Sequence, residues 1–260
     1  MSALGRTQND SNDVFFVGYL RTPPALGRFF WVLVPLVLLA VLALGATFVA
    51  AQRDVGDGRF VFMYEELAGR LETRPYPVVY LPPSDLHPDG HAIVLSGSGK
   101  RGVIAEAAGL DGQPVDVGGV FITRGSGEML QVGGALGLQA AAEPRPEAAV
   151  FTPEPESLGR ATLAGEIVDS KCYLGAMRPG EGKVHMACAG LCIMGGIPPM
   201  FVTWPAEGEP VLYLLAGPDG GPVDQTVLLE TSLYVRLTGE VERRADLLVF
   251  KVDPASLEVL

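Results

Sequence analysis

Basic charge is scarce in this chain: 19 lysines and arginines stand against 30 acids, for a net charge of −11. The first 28 residues hold three of those bases and two of the acids, so the acidity belongs to the remainder. An acidic body repels phosphate, which makes nucleic acid and anionic lipid headgroups poor partners and leaves room for a cationic one. Charged residues of both signs make up only 19%, while glycine (33) and proline (21) are abundant. That balance favours short strands joined by turns over long helices. Cysteine and histidine are rare too, three of each. No Cys-x-x-Cys-His string occurs, so covalent haem attachment has no support, and the spacings are those of neither a zinc finger nor a ferredoxin. Gly97-Ser98-Gly99-Lys100 is no phosphate loop: Val94 stands where a glycine is needed and Arg101 where Ser or Thr is. It reads as a turn.

What is present begins with an uncharged apolar run of 23 residues at 29–51. About 20 residues at ~1.5 Å rise span a bilayer core, and backbone groups in lipid must be satisfied internally, so the run predicts a transmembrane helix. Pro35 lies in its first two turns and Trp31 near the interface. Arg21 and Arg28 precede the run, whereas Asp54 and Asp57 partly offset Arg53 and Arg59 after it. The bias puts the N-terminus in the cytoplasm and the body outside. A cleaved signal peptide is the alternative, with Val49 and Ala51 before the cut. The long leader and the long apolar run favour an uncleaved anchor. Residues 1–28 read as a cytoplasmic tail.

The body holds an internal repeat. VDVGGVFITRGSGEMLQV at 115–132 and VRLTGEVERRADLLVFKV at 235–252 align without a gap at an offset of 120. Val115 matches Val235, Gly119 matches Gly239, Arg124 matches Arg244 and Val132 matches Val252; both segments read as hairpins. Upstream, Leu67–Leu71 resembles Leu163–Ile167, and the apolar run Ile93–Leu95 corresponds to Leu212–Leu215. The expectation is a mainly β protein: one transmembrane helix, then two small OB-like β-barrel domains, 52–138 and 161–260. A proline- and glutamate-rich stretch at 139–160 reads as a stiff linker between them. Each half would run strand, excursion, strand, turn, hairpin. The excursion of the first half has no cysteine, and its His87 and His91 read as surface loop residues.

The excursion of the second half carries the chemistry. Gly165–Pro199 contains Cys172, Cys188, Cys192, His185, Met177, Met186 and Met194. Lys183–Ile193 predicts a short helix stopped by Gly195-Gly196 and Pro198-Pro199. On it His185, Cys188 and Cys192 share one face at i, i+3 and i+7, and Cys172 closes from the strand end. Three thiolates and an imidazole make a four-ligand set for zinc or copper(I), with the methionines as additional soft ligands. The competing reading is a disulfide from Cys172 to Cys188 or Cys192 in an oxidising compartment. A third is thiol–disulfide chemistry, with Lys171 and Lys183 lowering a thiol pKa, or a Cys/His nucleophile oriented by Asp169.

The string through Gly165, Asp169, Ser170, Cys172, His185, Cys188, Cys192, Gly196 and Pro198, followed by an apolar strand and the Thr-Gly-Glu-Val at 238–241, resembles a group of bacterial exported or membrane-anchored proteins. Their shared pattern is G-E-[IV]-V-D-S-x-C, then H-x-x-C-A-x-x-C-I-x-x-G-x-P, then a C-terminal hairpin. The resemblance covers the second half, and it implies architecture and location rather than a reaction. Taken together, the expectation is a single-pass inner-membrane protein with a periplasmic body. It would be a non-enzymatic accessory subunit of a membrane redox or respiratory complex, with a disulfide-stabilised interaction module or a thiol oxidoreductase as alternatives.

Overall fold

The computed structural model describes residues 24–53, 57–143 and 151–260. A helix and a body form separate compact units. The apolar run forms α1 (Pro24–Arg53), which starts before the expected 29 because a proline fits the first helical turn. Its window Leu26–Ala50 has a mean hydropathy of 2.7 and no buried share, so α1 is long and apolar enough to cross a membrane. Trp31, Leu42 and Phe48 are among its exposed side chains, on a helix that is apolar all round. Residues 1–23 of the expected tail lie outside the described residues.

The body is two closed five-stranded barrels of one topology. The first is built from β1 (Arg59–Glu72), β2 (Val78–Leu81), β3 (His91–Ser96), β4 (Pro114–Arg124) and β5 (Gly127–Val132), with β6 (Leu138–Ala140) added at the edge of β4. The second uses β7 (Glu156–Asp169), β8 (Pro199–Thr203), β9 (Val211–Ala216), β10 (Tyr234–Arg244) and β11 (Leu247–Val252), with β12 (Glu258–Val259) at the edge of β10. In each, the first strand pairs with both the second and the fourth, which closes the barrel. The third and fifth strands pair parallel: β3 with β5, and β9 with β11.

The repeat holds at the level of hydrogen-bond register. Gly119 pairs with Val132, and Gly239 with Val252. Gly69 faces Val115, and Gly165 faces Val235. Val94 faces Met129, and Leu214 faces Val249. The glycines recur because strands cross there at close range: a Cβ on Gly119 would lie 2.3 Å from the Gln131 carbonyl oxygen, and one on Gly239 2.2 Å from that of Lys251.

Two boundaries differ from the sequence reading. The first excursion is not all loop, since the four apolar residues Val78–Leu81 form a central strand. The stretch 139–160 is trimmed at both ends, by β6 and by β7. Long β10 offers pairing partners as far as Arg243, and the chain from Glu156 onward takes them up. Residues 144–150 of that stretch lie outside the described residues.

Alternation along the strands builds three cores. Leu71, Val79, Ile93, Leu95 and Leu130 fill the first barrel, and Ile167, Phe201, Leu215, Leu237 and Phe250 fill the second. The residues between them, Val78, Tyr80 and Val94 from one barrel and Met200, Val202 and Leu214 from the other, form a shared core where the barrels meet. The strands are therefore apolar on both faces. Roughly 25 cal/mol per Å² of apolar surface favours keeping this interface closed.

The matched arginines cross it in both directions. Arg124 of the first barrel donates to the Tyr173 carbonyl (3.3 Å) and pairs with Glu181 (3.4 Å) in the second. Arg244 of the second pairs with Glu72 (3.1 Å) in the first.

Candidate metal centre

The Cys/His segment is a 29-residue insertion between Asp169, the last residue of β7, and Pro199, the first of β8. Ser170 clamps its base by donating to the Pro198 carbonyl (2.6 Å). A π-helical turn follows (Cys172–Ala176), and then α2 (Met186–Met194). The helix ends at Gly195-Gly196 as its sequence predicts, and His185 sits just before its first residue.

The fold brings Cys172, Cys188 and Cys192 together, with their sulfurs all within 4.8 Å of one another. Cys188 and Cys192 share a helix face at i and i+4, and Cys172 closes on them from the end of β7, as expected. Cys172 and Cys192 are buried against Ile197, with Cys188 at the rim. All three thiols are free, so the disulfide considered as the alternative, from Cys172 to Cys188 or Cys192, is not formed.

The site is completed by the first barrel. Its loop at 97–102, just after β3, lies against the C-terminal end of α2. Gly102 N–H donates to the Gly195 carbonyl (2.8 Å). The Lys100 ammonium lies 2.6 Å from the Cys188 sulfur, 3.5 Å from the Cys192 sulfur and 3.3 Å from the Cys188 carbonyl oxygen. Buried Lys171 donates to the carbonyls of Gly97 (2.7 Å) and Gly99 (2.9 Å), tying that loop down from the other side. The close approach demands glycine: a Cβ on Gly195 would lie 1.8 Å from the Lys100 carbonyl oxygen. The barrels repeat this arrangement where the loop after β9 meets the short β1–β2 loop through Arg74 and Asp219 (3.1 Å).

The electrostatics separate the thiols. Cys172 is pushed far up, first by donating a hydrogen bond to Cys192 and then by burial. Cys192 is drawn down to about 7, chiefly by accepting that bond, with Lys100 helping against the cost of burial. Lys100 is held up by its hydrogen bond to Cys188 and the neighbouring sulfur of Cys192. Burial pulls Lys171 down. Of the lysines expected to act on a thiol, Lys171 serves the backbone of the loop; the ammonium in contact with sulfur is that of Lys100.

His185 stands apart from the three-sulfur set. Its Nε2 lies 3.0 Å from Asp169 Oδ2, while Asp169 Oδ1 accepts from the Cys172 N–H (2.8 Å). Asp169, Cys172 and His185 form their own group within 4.8 Å, all buried. Cys172 is only 4% exposed. The methionines are turned outward: Met177, Met186 and Met194 are exposed.

A second group was not foreseen. His87 and His91, expected as plain loop residues, gather with Asp246. His91 opens β3 with its side chain 12% exposed. Burial opposes its charge, but hydrogen bonds to Asp246 and Glu128 carry its pKa up to about 9.

The fold and these groups define a class: an apolar N-terminal helix followed in sequence by a pair of packed barrels, with cysteine and histidine clusters that could hold a metal ion. Compared with protein-family models, curated proteins and solved structures, the chain finds no match.

Proposed function

We propose that this protein is a membrane-anchored subunit that holds a soft metal ion, zinc or copper(I), on Cys172, Cys188 and Cys192. It serves a membrane redox or respiratory complex from the periplasmic side. The observation that carries the reading is the convergence of three sulfurs from two elements within 4.8 Å. A zinc–sulfur bond of ~2.3 Å sets tetrahedral sulfurs about 3.8 Å apart, a spacing compatible with sulfurs that lie within 4.8 Å of one another. Thiolates select zinc and copper(I) over harder cations. Three protein ligands leave a fourth position for water, a partner's side chain or a bound substrate. The acidic body favours a cationic partner.

Full-length protein purified in detergent under reducing, metal-replete conditions tests this. One zinc or copper per chain is expected at the cysteines, so Cys188→Ser should lower the metal content by one ion. A folded wild-type chain whose metal content is unchanged by Cys188→Ser would end the reading.

One contact favours a thiol oxidoreductase as the second reading. The Lys100 ammonium against Cys188, together with the low pKa of Cys192, suits thiolate chemistry. That reading requires the metal-free protein to turn over a disulfide substrate at the expense of a dithiol reductant, which is oxidised in its place, and Cys188→Ser should abolish this.

A further inference from the structure

We propose that His87, His91 and Asp246 form a second metal site, for a borderline divalent cation such as zinc, which ties the two barrels together. This site is independent of the cysteines. Asp246 Oδ2 lies 3.1 Å from His87 Nδ1 and 2.6 Å from His91 Nδ1, so two imidazole nitrogens converge on one carboxylate oxygen. The rings stack with centroids 3.8 Å apart, which holds both Nδ1 atoms on the same side. The three ligand atoms lie within 4.8 Å of one another.

The surroundings are those of a ligand set rather than of a chance pair. The far nitrogen of His91, Nε2, lies 3.0 Å from Glu128 Oε2. A carboxylate behind an imidazole fixes the ring and its tautomer, leaving the near nitrogen to face the metal, and this is the usual support of a metal-bound histidine. Asp246 is fixed in the same way, because its Oδ1 accepts the Ala92 N–H (2.8 Å). Beside the group lies a cavity of about 270 Å³ lined by His91, Glu128 and Asp246 among others, which gives a metal room for a water as fourth ligand. Two imidazoles and a carboxylate are a set that zinc accepts at ~2.0–2.2 Å. Binding releases the Nδ1 protons to solvent, and the metal takes their place between the rings and the carboxylate.

The location gives the site a purpose. His87, His91 and Glu128 belong to the first barrel, and Asp246 to the β10–β11 turn of the second. A metal here bridges the barrels at the same interface that carries the loop 97–102 to the cysteines. It would steady the position of Lys100 without touching it.

Cobalt(II) and zinc titrations of the full-length protein in detergent test this. In a Cys172→Ser/Cys188→Ser/Cys192→Ser protein, cobalt should still give visible ligand-field bands, without the near-ultraviolet band of sulfur ligation. His87→Ala or Asp246→Asn in that background should abolish them. In the wild type, zinc at a hundredfold excess over its Kd should raise Tm by roughly 5–10 °C. His87→Ala, on an exposed loop, should remove the part of that rise that survives in the serine variant. Failure of the triple-serine protein to bind cobalt while it remains folded overturns the proposal. So does binding that ignores both His87→Ala and Asp246→Asn. If the serine variant does not fold, the same two substitutions are read in the wild type, where the site requires them to lower zinc stoichiometry by one. Loss of the sulfur band alone bears only on the cysteine site.

Discussion

The Lys100 ammonium sits 2.6 Å from the Cys188 sulfur, although the two residues belong to different barrels and lie 88 positions apart. A positive charge thus already occupies the approach to the thiols. A metal that takes the thiols must displace it, so Lys100 stabilises the metal-free state.

Lys100→Ala should therefore tighten zinc binding at the cysteine site. A charge-assisted contact at an exposed lysine is worth about 1 kcal/mol after solvent screening. That is roughly fivefold in affinity. Competition with a chromogenic chelator measures it. Weaker binding in Lys100→Ala would mean that the lysine helps the metal instead.

Gly195→Ala should destabilise the body by about 1–3 kcal/mol, the usual cost of overpacking. Its backbone (φ −78°) admits alanine, so the cost is the clash with the Lys100 carbonyl. Gly190, within α2, provides the contrast: a Cβ there meets nothing within 4 Å. Gly190→Ala should gain about 0.5–1 kcal/mol. Urea unfolding of both variants checks the pair, and equal effects would contradict the close contact.

His185→Ala should cost about 3–5 kcal/mol, because it strands the buried carboxylate of Asp169. Metal stoichiometry at the three sulfurs should be unchanged. Adding Asp169→Asn should recover part of the loss, since the pair acts as a unit. If His185→Ala abolishes metal binding in a folded protein, the imidazole is a ligand after all.

Acid should weaken the second barrel through Glu242, whose partners Arg244 and Lys251 belong to the same barrel. Burial pushes its carboxyl up, but hydrogen bonds from Lys251 and Arg244 outweigh that and hold it below the usual 4.5. A folded pKa below the unfolded one stabilises fully above pH 4.5, and the contribution vanishes as pH falls through the folded value. Glu242→Gln should therefore cost about 2 kcal/mol at neutral pH and progressively less as pH falls below 4.5. Denaturant melts across that range compare directly; an unchanged gap would assign the loss to packing.

Much of the architecture is legible along the chain because its signals are local or repeated. The apolar run at 29–51 marks α1. Gly119 and Gly239 recur at one offset because both barrels need the same close strand crossing. The stop at Gly195-Gly196 and the i, i+4 spacing of Cys188 and Cys192 follow from helix geometry alone. Where the reading fell short, the reason lies across the interface. Val78–Leu81 is too short to announce a strand, yet it is central because both of its faces are buried, one in its own barrel and one against the other.

The sequence by itself determined a helix long enough for a membrane, two related barrels, and the placement of every cysteine in one insertion. Tertiary structure decided how the site is composed. It left the disulfide unformed, set His185 against Asp169, and turned the methionines outward. It also brought Lys100 to the sulfurs and gathered His87, His91 and Asp246. Each of these depends on which residues of one barrel face which of the other. Apolar packing between the two sheets sets that docking, and no spacing within either half encodes it.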